Sequence, residues 1–283
     1  MRALLLVSAL ALLPACHTQT ARPALHQPGA EKVLLRYKFR EGHVDRYAFR
    51  ITITTRDPKE TPARDHTKVV GTATNILSIA KVTPDGSATI TGTLQGLKMT
   101  GDDQPRDSVT TFSLSPLGRA ILPERPVPNA AGPRRKTISP ESIARIGAML
   151  PQEKVGIGST WESSMVEPFS GRGTVPVKST LFRFEPIDGI GTARIHQVIS
   201  LPFEMKVDAG GSSQNKPAPA AHLVGSMKIN STIHFSPDLG KVIRTNVLGT
   251  AALKLTTTGG DARKTPTSSR LLLVLDVSMD LLK

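Results

Sequence analysis

Apolar and polar residues alternate along much of this chain, and a period of two residues is typical of a β-strand with one buried face. Early in the chain, Tyr47, Phe49, Ile51 and Ile53 alternate with polar residues. The same pattern predicts strands over residues 47–53, 68–82, 88–95, 108–114, 160–165, 175–184, 192–205, 223–235, 241–255 and 269–282, with a short one ending near residue 122. We therefore expect a mainly β protein.

Turn residues separate these strands where the chain must reverse. Pro84-Asp85-Gly86 follows the strand over 68–82 and precedes the strand over 88–95. Proline presets the first turn position and glycine accepts a positive φ, so the two strands are predicted to form a hairpin.

The last predicted strand is unusually apolar on one face. That face consists of Leu271, Leu273, Leu275, Val277, Met279 and Leu281. A face this apolar has to be buried, so we expect truncation of the C-terminal strand to unfold the protein.

A single helix is predicted, at about residues 139–150. Ser139 can act as the N-cap, and Pro140 suits the first helical position. Apolar residues, ending with Leu150, then fall on one narrow helical face, and Pro151 ends the helix. We expect this helix to pack on a sheet.

Three motifs occur twice in the same order, which predicts an internal duplication. The pairs are Gly42 and Tyr47 with Gly156 and Trp161, the turn at 84–86 with the turn at 187–189, and the segment 112–119 with 235–241. The expected halves are about 32–125 and 151–283, joined by a proline-rich linker and the short helix. We therefore expect antiparallel sheets from two related halves, forming a sandwich or an incomplete barrel.

The N-terminus has the layout of a bacterial lipoprotein signal, predicted at residues 1–15. An apolar run of 11 residues, 3–13, is too short for a membrane span of about 20 residues and fits a signal of about 7–15. Leu13 and Ala15 match the positions before a lipobox cysteine. Cys16, the only cysteine, is therefore the predicted lipidation site.

An ordinary signal, cut for example after Ala11, is the alternative, and Pro14 departs from the usual lipobox pattern. That alternative leaves a free thiol in an oxidising compartment, which is uncommon. Residues 16–31 lack periodicity and are predicted to be a flexible tether. His17 replaces the aspartate typical of inner-membrane retention, which favours the outer membrane, facing the periplasm.

The formal net charge of +13 favours anionic partners among the envelope components, such as lipid headgroups or acidic polymers. Basic residues are spread along the chain, however, so a solvated surface is the favoured explanation of this charge. The one local cluster is Arg134-Arg135-Lys136. No groove-reading motif is present, so we expect no nucleic-acid partner.

No catalytic, cofactor or metal motif is found. The chain lacks HExxH, CxxC and G-x-S-x-G motifs, and its seven histidines are scattered. His196 and His234 lie on the polar faces of their predicted strands, where exposed histidines are more common than ligands. Trp161 follows a glycine-rich turn and is more typical of a core position than of a ligand anchor. We expect no enzymatic activity.

The stretches 34–47, 150–161 and 235–243 resemble segments of uncharacterised bacterial secreted or lipid-anchored β-rich proteins of unknown function. The resemblance covers about residues 31–283, and its motifs are turns and strand starts, so it implies no catalytic residue. In architecture it is similar to envelope lipoproteins whose curved antiparallel sheet, closed by helices, binds lipids or lipoproteins.

These patterns predict a lipid-anchored envelope protein with a non-enzymatic structural or binding role. The alternative is a periplasmic carrier of lipid or another hydrophobic ligand. The two differ in whether the apolar strand faces meet each other or leave a void of about 300 Å³ or more.

Overall fold

The computed structural model describes residues 32–57, 65–121, 147–166, 174–208, 220–258 and 267–283. Cys16, the predicted signal and the tether lie outside the described residues, as does the basic cluster of residues 134–136. Within the described residues, no helix is long and apolar enough to cross a membrane.

Eleven strands make up a single antiparallel sheet in the described part of the chain. They are β1 (Val44–Arg56), β2 (Asp65–Val82), β3 (Ala88–Met99), β4 (Arg106–Leu114), β5 (Ala120–Ile121), β6 (Thr160–Val166), β7 (Thr174–Ile187), β8 (Ile190–Asp208), β9 (Ala220–Ser236), β10 (Lys241–Thr258) and β11 (Thr267–Leu281). Their order across the sheet is β5-β4-β3-β2-β1-β11-β10-β9-β8-β7-β6.

This order consists of two meanders joined in the middle. Strands β1 to β5 form one meander and β6 to β11 the other, and β1 pairs with β11 to connect them. Bulges interrupt several ladders, for example between Leu181 and Arg183, and a bulge bends a strand and increases its twist. The sheet curls into a nearly closed barrel, which confirms the predicted mainly β, incomplete-barrel class.

The inner face of the barrel follows the alternation in the sequence. Tyr47, Phe49 and Ile51 of β1 are buried, as predicted. On β11 the buried positions are Leu273, Leu275, Val277 and Met279. The largest apolar cluster draws residues from both meanders, so neither meander buries its apolar face by itself.

The predicted helix at 139–150 is wrong over its last turn. Residues 147–150 are not helical, and residues 139–146 lie outside the described part. The backbone N–H of Leu150 donates to Leu117 O at 2.9 Å, and that of Met149 donates to the side chain of Gln197 at 3.0 Å. Tertiary partners therefore supply the hydrogen bonds that a helical turn would have made locally.

The repeated motifs occupy corresponding places in the two meanders. The turn at 84–86 joins β2 to β3, and the turn at 187–189 joins β7 to β8. Segment 112–119 connects β4 to β5, just as 235–241 connects β9 to β10. The two β-hairpin turns differ in detail, because Asp188 and Gly189 both have a positive φ, of 50° and 82°. Duplication stays a prediction that this topology favours.

Candidate functional site

A pocket of about 290 Å³ opens at one end of the barrel, between the first meander and the turn that joins β9 to β10. The pocket walls are largely apolar. They include Phe39, Leu77, Ile79, Ile90, Phe112 and Leu114. Ligand pockets of small molecules begin at about 300 Å³, so this void is at the lower end of that range.

The chain segment 37–43 forms one side of the pocket. Its backbone binds three neighbours: Tyr37 N donates to Pro116 O at 2.9 Å, Lys38 N to Gly240 O at 3.0 Å and Gly42 N to Ile79 O at 2.9 Å. Gly240 has a φ of 64°, and a Cβ at this position would collide with Lys38. The glycine of the 235–241 motif therefore allows the close approach that forms this wall.

Two tyrosines contribute to the pocket lining. The Tyr37 ring stacks on Phe39 at a centroid distance of 5.5 Å, and its hydroxyl accepts a hydrogen bond from Ala148 N at 3.0 Å. The Tyr47 hydroxyl donates to Val242 O at 3.1 Å. Burial raises the pKa of both phenols above the ordinary value. Both side chains are therefore neutral near pH 7. Their rings form part of the pocket wall, and their hydroxyl groups hydrogen-bond to the neighbouring backbone.

The polar mouth of the pocket consists of Lys38, Arg40, His43, Asp45, Asp238 and Lys241. Lys241 Nζ donates to Asp45 Oδ1 at 2.5 Å, and His43 Nε2 lies 3.1 Å from the same oxygen. Lys241 Nζ also lies 3.2 Å from His43 Nε2. The Asp45 carboxylate thus contacts both the Lys241 ammonium and the His43 imidazole at the edge of an apolar pocket.

Within the described part of the chain, the other two cations of the mouth, Lys38 and Arg40, have no carboxylate partner. Lys38 Nζ donates to the backbone oxygen of Asp238 at 3.0 Å. Arg40 is exposed, and its side chain makes no ion pair or hydrogen bond within the described residues. Among the described residues, three cations and two carboxylates, Asp45 and Asp238, line the mouth, so its charges sum to a small positive excess.

The segment 147–150 lies beside this pocket, and Gly147 contributes to its lining. Gln197 accepts from Met149 N and donates to Gly147 O at 3.3 Å, while Trp161 Nε1 donates to Met149 O at 2.8 Å. Gln197 is fully buried. Trp161 packs against the apolar cluster of this end, so it has the core role expected from its sequence context.

A second polar cluster lies on β7, β8 and β9, with Glu185 at its centre. Glu185 binds Arg183 Nη2 at 2.6 Å, Arg194 Nη1 at 3.7 Å and His234 Nε2 at 3.0 Å. Partial burial works against ionisation, but hydrogen bonds from Arg183 and His234 outweigh it and lower the pKa of Glu185. The guanidinium of Arg194 also lies 5.4 Å from the exposed ring of Phe182.

The structure corrects one expectation here: His234 is not an exposed strand histidine. Its side chain is only 8% exposed, and its Nδ1 has no hydrogen-bond partner within the described residues. Burial lowers its pKa, although Glu185 works in the opposite direction. The pairing of Thr232 with His196 places the exposed His196 diagonally across from His234.

The described residues contain no group of three or more His, Cys, Asp or Glu side chains placed to hold a metal ion. His17 and His26 lie outside the described residues, and so does the side chain of His66. Cys16, the predicted lipidation site, is likewise outside them.

The pocket mouth was missed by the sequence analysis. His43 directly precedes β1 and Asp45 is its second residue, and a period of two would have placed both side chains on one side of the strand. Lys241 is 196 residues from Asp45, and only the pairing of the two meanders brings it to the same place.

No protein-family model matches this chain, and no curated protein matches its sequence. The resemblance to bacterial secreted or lipid-anchored β-rich proteins therefore stays a prediction from the motifs.

Proposed function

We propose that this protein is a non-enzymatic, lipid-anchored envelope protein that binds a small hydrophobic ligand in the end pocket. The observation that carries the proposal is the pocket itself: about 290 Å³ of space between apolar walls, open at a polar mouth. The buried apolar side chains of the described residues otherwise pack into two clusters, of which the larger includes residues of both meanders. A cavity retained beside a packed core suits binding better than a purely structural role.

The chemistry of the mouth favours binding over catalysis. His43 contacts Asp45 and Lys241, and no serine, threonine or cysteine within the described residues is hydrogen-bonded to its imidazole. Nucleophilic catalysis requires such a hydroxyl or thiol beside the base. The tyrosines of the pocket stay neutral near pH 7, so they do not supply a base either.

The anchoring part of the proposal depends on the sequence around Cys16. A short apolar run followed by a small residue and the only cysteine is typical of a lipoprotein signal. Lipid on Cys16 and a tether over 16–31 would place the folded domain beside the membrane, facing the periplasm. Its membrane contact would be the lipid, and its partners would be hydrophobic molecules of that compartment.

Ligand binding is tested with the fluorescent apolar probe N-phenylnaphthylamine and the purified folded protein. We expect saturable fluorescence enhancement, competed by decanol. Leu77 is part of the pocket wall, so in the variant Leu77→Trp an indole ring replaces the smaller leucine side chain and fills the pocket. We expect the affinity of this variant for the probe to fall at least tenfold.

The matched control is Leu248→Trp, which introduces the same ring at a leucine that is 47% exposed on β10. This control should bind the probe like the wild type. Absence of saturable binding by the wild type, or equal binding by both variants, would contradict the proposal.

A further inference from the structure

We infer that the ligand of the end pocket is a single-chain anionic amphiphile, with its headgroup at the mouth beside Arg40 and Lys38. This inference rests on the proposed binding function. It adds the charge of the ligand and the residues that select it, neither of which follows from the apolar walls.

The charges around the mouth favour an anion. Three cations, Lys38, Arg40 and Lys241, line the pocket with two carboxylates, Asp45 and Asp238. Asp45 compensates Lys241 at 2.5 Å. Lys38 donates to a backbone oxygen, which accepts its hydrogen bond without compensating its charge. Asp238 supplies the second negative charge, so three cations against two carboxylates leave the described mouth with a net charge of +1. A bound anion would balance that charge.

Arg40 is the residue best suited to hold the headgroup. Arg40 is exposed, lines the pocket and makes no ion pair within the described part of the chain. A guanidinium presents two parallel N–H donors to a carboxylate or a phosphate, so it can bind either group in a bidentate manner. Among the described residues its side chain has no hydrogen bond or ion pair to break before it binds.

The size of the pocket limits the apolar part of the ligand to one chain. A void of about 290 Å³ is at the lower limit for small-molecule pockets. Its wall residues, such as Leu77, Ile90 and Phe112, are aliphatic or aromatic and suit methylene groups. Each methylene that enters should improve affinity about fourfold until the pocket is full.

The test is competition against N-phenylnaphthylamine by four ligands with the same chain: decanoate, decyl phosphate, decanol and decyltrimethylammonium. We expect the two anions to compete at concentrations at least tenfold lower than decanol, and the cation to compete least. The advantage of the anions should shrink with added salt, because the mouth is exposed to solvent. Comparison of the two anions distinguishes a carboxylate from a phosphate headgroup.

Arg40→Gln should remove most of the preference for anions and leave competition by decanol unchanged. Arg40→Lys keeps the charge but not the two parallel donors, so an intermediate preference is expected. The control Arg50→Gln removes an exposed arginine of β1 that does not line the pocket, and it should retain the wild-type preference.

Equal competition by decanol and decanoate in the wild type would overturn the inference and leave the proposed function intact. Failure of every ligand and of the probe would instead overturn the proposed function. Vesicles of phosphatidylglycerol provide the remaining comparison, and stronger competition by this two-chain lipid than by decyl phosphate would refute the single-chain assignment.

Discussion

Gln197 is fully buried on β8, and its side-chain amide binds the backbone of Met149 and Gly147. These bonds replace the local hydrogen bonds that a helix would have supplied to the same segment. Leaving a buried polar group without a partner costs more free energy than one satisfied hydrogen bond contributes. The main effect of removing the Gln197 side chain is therefore to leave its backbone partners unpaired.

We predict that Gln197→Leu destabilises the protein by about 2–4 kcal/mol, because two backbone groups lose their partner. Chemical unfolding measures the change. Gln95→Leu, at an exposed position on β3, is the control and should change stability by less than about 0.5 kcal/mol. Equal effects of the two substitutions would show that the 147–150 segment does not depend on Gln197.

At the residue scale, His234 makes the free energy of unfolding depend on pH. Burial lowers its pKa from the ordinary value of 6.5, so the unfolded chain binds the proton more readily than the folded one. Stability is therefore full above about pH 6.5 and falls as the pH drops through the pKa of the folded state. Besides Glu185, the charged groups facing His234 are Arg194 and Arg244, which both oppose its protonation.

We predict that unfolding free energy declines from about pH 7 to about pH 5 in the wild type and declines less in His234→Gln. Glu185 adds acid sensitivity of the same sign, but only below its ordinary value of 4.5. His196→Gln, on the exposed face of β8, should keep the wild-type slope. An unchanged slope in His234→Gln would assign the dependence to other groups.

At the scale of the elements, β11 joins the two meanders. It pairs with β1 on one side and β10 on the other, and its inner face contributes to the largest apolar cluster. The alternation of its leucines predicted this burial. The same pattern did not predict which strands would lie beside β11, because a period of two defines the buried face of a strand and not its neighbouring strands.

We predict that Leu275→Ala, at a fully buried position of β11, destabilises the protein by about 2–5 kcal/mol. Thermal and chemical unfolding measure the loss. The control Leu282→Ala removes a leucine that is 45% exposed just beyond β11 and should be nearly neutral. Deletion of residues 267–283 should abolish cooperative unfolding, since both meanders lose the strand that joins them.

The helix expected at 139–150 shows the limit of local signals at this scale. A capping serine and a proline at the first position are genuine helix signals, yet residues 147–150 are not helical. Three buried residues, Ala148, Met149 and Leu150, have hydrogen-bond partners on other elements, and these contacts outweigh the helical preference of the segment. Tertiary contacts commonly override a weak local propensity.

At the scale of the whole molecule, the proposal places a ligand-binding domain on a lipid anchor. We predict that the processed protein begins at Cys16 and carries acyl chains, which intact-mass measurement of a membrane fraction would detect. Cys16→Ser should move the protein from the membrane fraction to the soluble fraction. An unacylated wild-type chain that begins at another residue would remove the anchor from the proposal.

The sequence by itself determined the strands, their buried faces and most of their turns, because these depend on a period of two and on residues such as Gly86 and Asp188 that suit a turn. Only the tertiary structure decided the order of the strands and the pocket. Lys241 and Asp45 meet because β1 and β10 lie on either side of β11. The local sequence pattern around each residue does not predict contact between residues so far apart in the chain. The non-helical conformation of residues 147–150 was decided in the same way, by hydrogen bonds to residues distant in the chain.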